Sequence, residues 1–167
     1  MSTPRPAFAL ALATALSAGG VATAPAPLGA QDADDTVIRC YTEALTIEEI
    51  ADGATSEITG CHEVDPDEPV ALARSAGFVA AMLYDGFNTT GAQLTVTANA
   101  CVGHAVSFPA SNWWNDRTSS TDLLSCGAAK HYTGGSSTGT YQLLQGVGVH
   151  NLNSTLNNDT TSIEYGD

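Results

Sequence analysis

The sequence predicts an all-β protein, a sandwich or barrel built from short strands. Beyond residue 76 charged residues become sparse, and Thr, Val, Ser, Gly and Asn dominate. This texture is typical of short strands separated by frequent turns. The same half of the chain also carries one pattern of aromatic, glycine, Asn/Asp and Ser/Thr residues twice, which indicates an internal repeat.

Five segments of this half have the composition of strands. They are rich in β-branched and aromatic residues, and turn-forming residues stand between them. The segments are residues 78–84, 93–97, 141–144, 146–149 and 161–165. We therefore expect the main β structure after residue 76.

Residues 1–30 have the pattern of a secretory signal peptide. Arg5 precedes a run of small apolar residues at 7–16, and further small residues follow. A membrane-spanning helix needs about 20 apolar residues, so this run is too short to be one. Of two possible cleavage sites, the one before Gln31 is favoured, because proline would follow a cut after residues 22–24. The sequence thus predicts a secreted, extracellular protein.

The remaining 137 residues (167 − 30) are enough for one domain with a hydrophobic core. The whole chain has 18 acidic and 5 basic residues, a formal net charge of −13. Residues 31–75 hold 12 acidic and 2 basic residues, against 6 and 2 in residues 76–167. This imbalance argues against nucleic acid or an anionic membrane as partner. The acidic surface either aids solubility or raises the local concentration of cations. We also expect the protein to be a monomer.

Residues 31–75 form an acidic segment ahead of the predicted β domain at 76–167. Thr46 stands three residues before Glu49, a capping-box pattern that predicts one short helix before residue 60. Residues 65–69, Asp-Pro-Asp-Glu-Pro, predict a loop.

Four cysteines follow the predicted signal peptide: Cys40, Cys61, Cys101 and Cys126. An even number in a secreted chain predicts two disulfides, for which three pairings are possible. We favour Cys40–Cys61 and Cys101–Cys126, because each keeps its loop within one segment. The sequence has no C-x-x-C pair, which argues against a structural zinc site.

The repeated pattern has two parts. Residues 84–91 and 132–139 each begin with tyrosine and end with glycine seven positions later. A hexapeptide of the form [N/D]-[N/D]-x-x-[S/T]-S follows each of them, at residues 115–120 and 157–162. One such hexapeptide would be weak evidence in a chain rich in Asn, Ser and Thr. Two of them, each behind its own aromatic–glycine segment, indicate a duplication.

This arrangement resembles the βγ-crystallin superfamily, in particular its secreted microbial calcium-binding domains. The resemblance covers residues 76–167, which are 92 of the 167 residues, and none of 31–75. It implies that each repeat is a four-stranded Greek key whose aromatic–glycine segment is a folded first hairpin. It also implies that the two keys form one sandwich. Cys101 and Cys126 depart from the family pattern, and we interpret their bond as an addition suited to secretion.

The resemblance also implies two Ca²⁺ sites. Calcium takes about six to eight oxygen ligands. In the family, the third hexapeptide residue supplies its backbone carbonyl, and the fifth its hydroxyl. One Asn or Asp of the first two positions reaches toward the neighbouring site, and the residue after the hairpin tyrosine adds a carbonyl. The matching residues are Asp85, Asn115 or Asp116, Arg117 and Ser119 in the first repeat, and Thr133, Asn157 or Asn158, Asp159 and Thr161 in the second.

Two further expectations and one alternative accompany this assignment. Arg117 should contribute only its carbonyl, with its side chain pointing to water. The sixth-position residues Ser120 and Ser162 should hold the hairpins in place. The alternative is that both loops fold without metal, as Asx and Ser turns.

The other motifs are weaker. Residues 135–139 match the G-x-S-x-G nucleophile elbow, but a strand is expected after them where the elbow requires a helix. No Asp or Glu separates Ser137 from the next histidine, His150, and the four histidines lack metal-binding spacing. We therefore predict that the protein is not an enzyme.

Two functions remain in competition. The first is a secreted calcium-binding domain in which calcium stabilises the fold. The second is an extracellular interaction protein of the same fold, such as a metalloprotease inhibitor or small toxin, using a rigid loop around residues 108–114. Of Trp113 and Trp114, one is expected in the core and one at the rim.

Overall fold

Two β-sheets pack against a shared core in the computed structural model, which describes residues 36–69 and 77–167. The strands are β1 (Val37–Glu43), β2 (Leu45–Thr46), β3 (Ile58–Val64), β4 (Phe78–Tyr84), β5 (Gln93–Ala98), β6 (His104–Ser107), β7 (Ser120–Leu123), β8 (Ala128–Gly134), β9 (Thr138–Gln145), β10 (Gly148–Asn151) and β11 (Ser162–Gly166). One short helix, α1 (Ile47–Ala51), and a 3₁₀ turn at Phe87–Thr89 accompany them. The predicted signal peptide lies outside the described residues. Within them, no helix is long and apolar enough to cross a membrane.

Each repeat forms a four-stranded Greek key, β4 to β7 in the first and β8 to β11 in the second. The first sheet has the order β10-β7-β4-β5-β1-β3, and the second β2-β6-β11-β8-β9. Each key therefore gives its third strand to the other key's sheet: β6 pairs with β11, and β10 pairs with β7. The predicted sandwich of two Greek keys is confirmed.

Composition located some strands and missed others. Strands β4 and β5 match the predicted segments, and β9, β10 and β11 overlap the other three. Strands β6 and β7 are four residues long, too short to show a clear periodicity. Strand β8 was also missed, because its sequence AAKHYTG mixes small, charged and aromatic residues.

The acidic amino-terminal segment adds strands to both sheets. Strand β1 runs parallel to β5 and antiparallel to β3, and β2 pairs with β6. The predicted helix is present: the Thr46 hydroxyl accepts from the Glu49 backbone N–H, and Glu49 Oε2 accepts from the Thr46 N–H at 2.8 Å. That second hydrogen bond lowers the pKa of Glu49. Residues 65–69 form the predicted loop.

The core lies between the sheets and draws on both keys. Its largest fully buried apolar side chains are Trp114, Phe108, Leu83, Leu94, Leu123, Leu156 and Ile163. Trp114 is fully buried, and its Nε1–H donates to Thr118 Oγ1 at 3.1 Å, whereas Trp113 is 38% exposed. The prediction of one core and one rim tryptophan is confirmed.

Both predicted disulfides are present. Cys40 in β1 is bonded to Cys61 in β3, and Cys101 is bonded to Cys126. The first bond links the two outermost strands on one side of the first sheet. The second closes a loop of 25 residues that contains β6 and β7.

Removing the Cys101–Cys126 bond should destabilise the protein. With both cysteines replaced by alanine, we expect the free energy of unfolding to fall by roughly 3 kcal/mol, the chain-entropy cost of opening a loop of this length. Urea unfolding followed by tryptophan fluorescence measures the change. The wild type under reducing conditions is the control and should lose at least as much. An unchanged urea midpoint in the double variant would contradict the expectation.

Candidate metal sites

The two aromatic–glycine segments fold into equivalent loops, one between β4 and β5 and one between β8 and β9. Asn88 and Thr89 have positive φ in the first loop, and Ser136 and Ser137 have positive φ in the second. Glycine ends each segment for a steric reason. Gly91 has φ +81°, and a Cβ there would overlap Asp85 Oδ1.

The sixth hexapeptide residue holds each loop in place. Ser120 Oγ donates to the carbonyl of Gly86 at 2.6 Å and accepts from the Thr89 N–H at 3.1 Å. Ser162 Oγ makes the matching pair of bonds, to the Gly134 carbonyl at 2.6 Å and from the Ser137 N–H at 3.0 Å. The expected role of both serines is confirmed.

The two hexapeptides lie against each other. The N–H of Asp116 donates to the carbonyl of Thr160 at 3.1 Å, and the N–H of Asn158 donates to the carbonyl of Thr118 at 3.1 Å. Asp116 and Asn158, both at the second position, have φ of 58° and 56°. Asn and Asp tolerate this left-handed conformation better than most residues, which accounts for their place in the motif.

The first oxygen cluster combines both repeats. Ser119 Oγ lies 2.9 Å from the backbone oxygen of Asp85 and 3.2 Å from the side-chain oxygen Oδ1 of Asn158. Asp85 and Ser119 belong to the first repeat, and Asn158 to the second. These three oxygens, from Asp85, Ser119 and Asn158, are called the first cluster below.

The second oxygen cluster repeats this arrangement with the roles exchanged. Thr161 Oγ1 lies 3.1 Å from the backbone oxygen of Thr133 and 3.0 Å from Asp116 Oδ1. Thr133 and Thr161 come from the second repeat, and Asp116 from the first. A carboxylate therefore stands here where the first cluster has an amide.

The remaining predicted ligands lie next to these clusters in the chain. The carbonyl oxygens of Arg117 and Asp159, at the third position, accept no hydrogen bond from the described residues. Side-chain Oδ1 of Asn115 and of Asn157, at the first position, is buried and also has no hydrogen-bond partner there. Two equivalent oxygens are thus left unpaired in each repeat, four in all among the described residues.

The sequence analysis expected the side chain of Arg117 to point to water, but it contacts two other side chains. Its Nη2 lies 2.7 Å from Asp85 Oδ2, and its guanidinium carbon lies 5.0 Å from the centre of the Trp113 ring. The side chain is 46% exposed. A planar guanidinium can pair with a carboxylate and stack on an aromatic face at once, which explains this position.

The donor set of both clusters suits a hard cation. Carbonyl, hydroxyl, amide and carboxylate oxygens are the ligands that calcium prefers. Residues 36–69 and 77–167 contain no group of three or more His, Cys, Asp or Glu placed to hold a metal ion. Any cation here would therefore depend mainly on neutral oxygens.

Other predicted features occupy ordinary structural positions. Ser137 lies in the second hairpin loop and runs directly into β9, so the helix that a nucleophile elbow requires is not at this place. In the segment 108–114, Phe108 and Trp114 are buried and Trp113 is partly exposed.

No family model matches the chain, and no curated protein matches it. Solved structures do resemble it. A βγ-crystallin domain from Clostridium beijerinckii is 18% identical and has a TM-score of 0.42, with 52% of this chain and 97% of that one covered. One from Flavobacterium johnsoniae is 21% identical and has a TM-score of 0.40, with 52% and 92% covered. The βγ-crystallin domain of the abundant perithecial protein from Neurospora crassa, in the Ca²⁺-bound form, is 20% identical and has a TM-score of 0.41, with 57% and 96% covered.

These three likenesses extend over 52–57% of this chain. The chain's own topology has two Greek keys in one sandwich, with a folded aromatic–glycine hairpin in each. From β4 to β11, this is the architecture that the sequence resemblance implied.

Proposed function

We propose that this protein is a secreted calcium-binding domain in which calcium stabilises the folded chain. The observation that carries the proposal is the pair of oxygen clusters. Each joins a hydroxyl and a carbonyl of one repeat to a side-chain oxygen of the other. The unpaired carbonyls of Arg117 and Asp159 are suited to complete the two ligand sets.

Calcium binding at these clusters would favour the folded state, because the clusters exist only when both hexapeptides lie together. A ligand that binds only the folded state stabilises it by mass action. Bound calcium would supply a positive charge that replaces hydrogen bonds as the link between the oxygens. Asp116 is the single carboxylate in the two clusters, so we expect dissociation constants of about 10⁻⁶ to 10⁻³ M.

Secretion is the second part of the proposal. Its supports are the signal-peptide pattern of residues 1–30 and the two disulfides, which persist in oxidising compartments. Calcium at about 10⁻³ M would nearly fill a site at the tight end of the expected range and half fill one at the weak end. We expect the mature protein to act as a monomer.

Calcium should raise the stability of the metal-free protein. At a free concentration 100 times the dissociation constant, the gain should be about 2.7 kcal/mol per site. Replacing Ser119 or Thr161 by arginine should abolish one site each, because a hydroxyl ligand is lost and a cation enters its place. Calorimetric titration and thermal melting measure both effects.

The matched control is Ser154→Arg. This exposed serine introduces the same charge change outside both clusters, and it should leave the number of bound ions unchanged. Magnesium at equal concentration tests selectivity. If several millimolar calcium gives no heat of binding in the titration and no change in melting temperature, the proposal is overturned. The interaction-protein alternative would then be favoured.

A further inference from the structure

We infer that the two sites are unequal, so that the second cluster fills first and Arg117 holds down the calcium affinity of the first. The inference rests on the proposed function, because it concerns the order in which calcium occupies the two clusters. It is carried by the differences between two clusters whose backbones are otherwise equivalent.

The first difference lies at the second hexapeptide position. Asp116 brings a carboxylate to Thr161 at 3.0 Å, whereas Asn158 brings a neutral amide to Ser119 at 3.2 Å. An ionised oxygen attracts a divalent cation more strongly than an amide oxygen does, and ligand charge is a main determinant of calcium affinity. This difference favours the second cluster.

The second difference lies at the third position. Arg117 occupies it in the first repeat and Asp159 in the second. The Arg117 guanidinium is held beside the first cluster by Asp85 at 2.7 Å and by the Trp113 ring at 5.0 Å. Because Asp85 also gives its backbone oxygen to that cluster, a fixed positive charge stands next to the place where calcium would bind.

The Asp85 carboxylate only neutralises this charge, and both of its oxygens already have partners. Its Oδ2 pairs with Arg117, and its Oδ1 accepts from the backbone N–H of Ala92 at 2.7 Å inside the hairpin. Counting side chains of the cluster and its third-position residue, the first site has a net charge of zero (Asp85 −1, Arg117 +1). The second has −2 (Asp116 −1, Asp159 −1). Both differences therefore act in the same direction.

The crossing of the clusters between repeats gives the inference a distinctive signature. Asp116 lies in the first hexapeptide but belongs to the second cluster, and Asn158 lies in the second hexapeptide but belongs to the first. A substitution at the second position of one hexapeptide should therefore change calcium affinity at the cluster that contains the fifth-position residue of the other.

The experiment is a calcium titration of ¹⁵N-labelled protein followed by NMR. The amides of Ser119 and Thr161 report on the two clusters separately, since each donates to the hairpin tyrosine carbonyl of its own repeat. In the wild type, we expect Thr161 to shift at a calcium concentration at least tenfold lower than Ser119. In Asp116→Asn, the calcium concentration at which Thr161 shifts should rise at least tenfold. The concentration at which Ser119 shifts should not change.

Two further variants test the first cluster. Asn158→Asp, made with Arg117 unchanged, should lower the calcium concentration at which Ser119 shifts about tenfold. Arg117→Gln should also lower the calcium concentration at which Ser119 shifts, by several-fold, and leave that for Thr161 unchanged. Arg117→Lys keeps the charge and is the control: if it behaves like Arg117→Gln, packing and not charge explains the effect, and the role given to Arg117 is wrong.

The outcomes separate this inference from the proposal beneath it. If neither amide responds to calcium, calcium binding itself is disproved. If both respond at the same concentration, or Ser119 responds first, the protein binds calcium but the inferred order is wrong.

Discussion

Replacing Trp114 by alanine should destabilise the protein by about 3–5 kcal/mol, the cost usual for deleting a large buried aromatic side chain. Trp114 is fully buried in the core, and its ring nitrogen donates to Thr118 Oγ1. The substitution removes the packing contacts and leaves the Thr118 hydroxyl without that donor. Urea unfolding followed by circular dichroism measures the loss.

Its neighbour provides the matched control. Trp113 is partly exposed and contacts the Arg117 guanidinium, an interaction of about 0.5–1 kcal/mol at exposed sites. Trp113→Ala should therefore cost about 1 kcal/mol or less. Equal losses in the two variants would mean that the two tryptophans do not divide between core and rim.

Acidification should destabilise the fold through His131. This side chain is fully buried in β8, and its Nε2 lies 3.1 Å from Thr121 Oγ1 of the opposite sheet. Burial, with a smaller contribution from the charge of His150, lowers the pKa of His131 from 6.5 to about 3. The folded protein therefore keeps this imidazole neutral at pH values where the unfolded chain protonates it.

The sign follows from proton uptake. Between pH 6.5 and about 3 the unfolded state binds a proton on His131 that the folded state does not. This contribution to stability is fully present above pH 6.5 and is lost as the pH falls toward 3, by up to about 1.4 kcal/mol per pH unit.

Urea unfolding at a series of pH values from 7 to 4 measures the effect. The free energy of unfolding of His131→Phe should change less with pH than that of the wild type, by up to about 1.4 kcal/mol per pH unit. This holds whatever the stability of the variant at pH 7. The carboxylates titrate in both proteins, so the difference in slope isolates His131. His62→Phe, which removes an exposed imidazole from β3, is the matched substitution control. A His131→Phe slope equal to that of the wild type would contradict the prediction.

The repeated motif was the most informative part of the sequence. The hairpin at Tyr84–Gly91 and its counterpart could be predicted because each requires particular residues: glycine where φ is positive, and a serine that bonds back to the loop. The same holds for the capping box at Thr46 and Glu49. Where local geometry depends on one side chain, the sequence is a sufficient guide.

Features that depend on distant partners could not be read in the same way. Strands β1 and β3 lie in the acidic segment 31–75, where the sequence predicted only a short helix and a loop, and β1 pairs with the free edge of β5. Arg117 pairs with Asp85, which lies 32 positions earlier in the chain but adjacent in space, so its side chain does not extend freely into water. His131 has the sequence context of a surface residue, and its burial follows from the pairing of β8 with β9 and β11.

The exchange of third strands has a consequence for the order of events during folding. Strand β6 pairs with β11, and the paired residues Ser107 and Ser162 are 55 positions apart (162 − 107). The second sheet therefore cannot close until almost the whole second repeat has been synthesised. A fragment ending between the two keys would leave β6 without β11 and β7 without β10, and such unpaired edges promote association between chains. Pairings this distant along the chain also slow folding. The two repeats should thus fold as one unit, late and together, and neither should survive as an independent half.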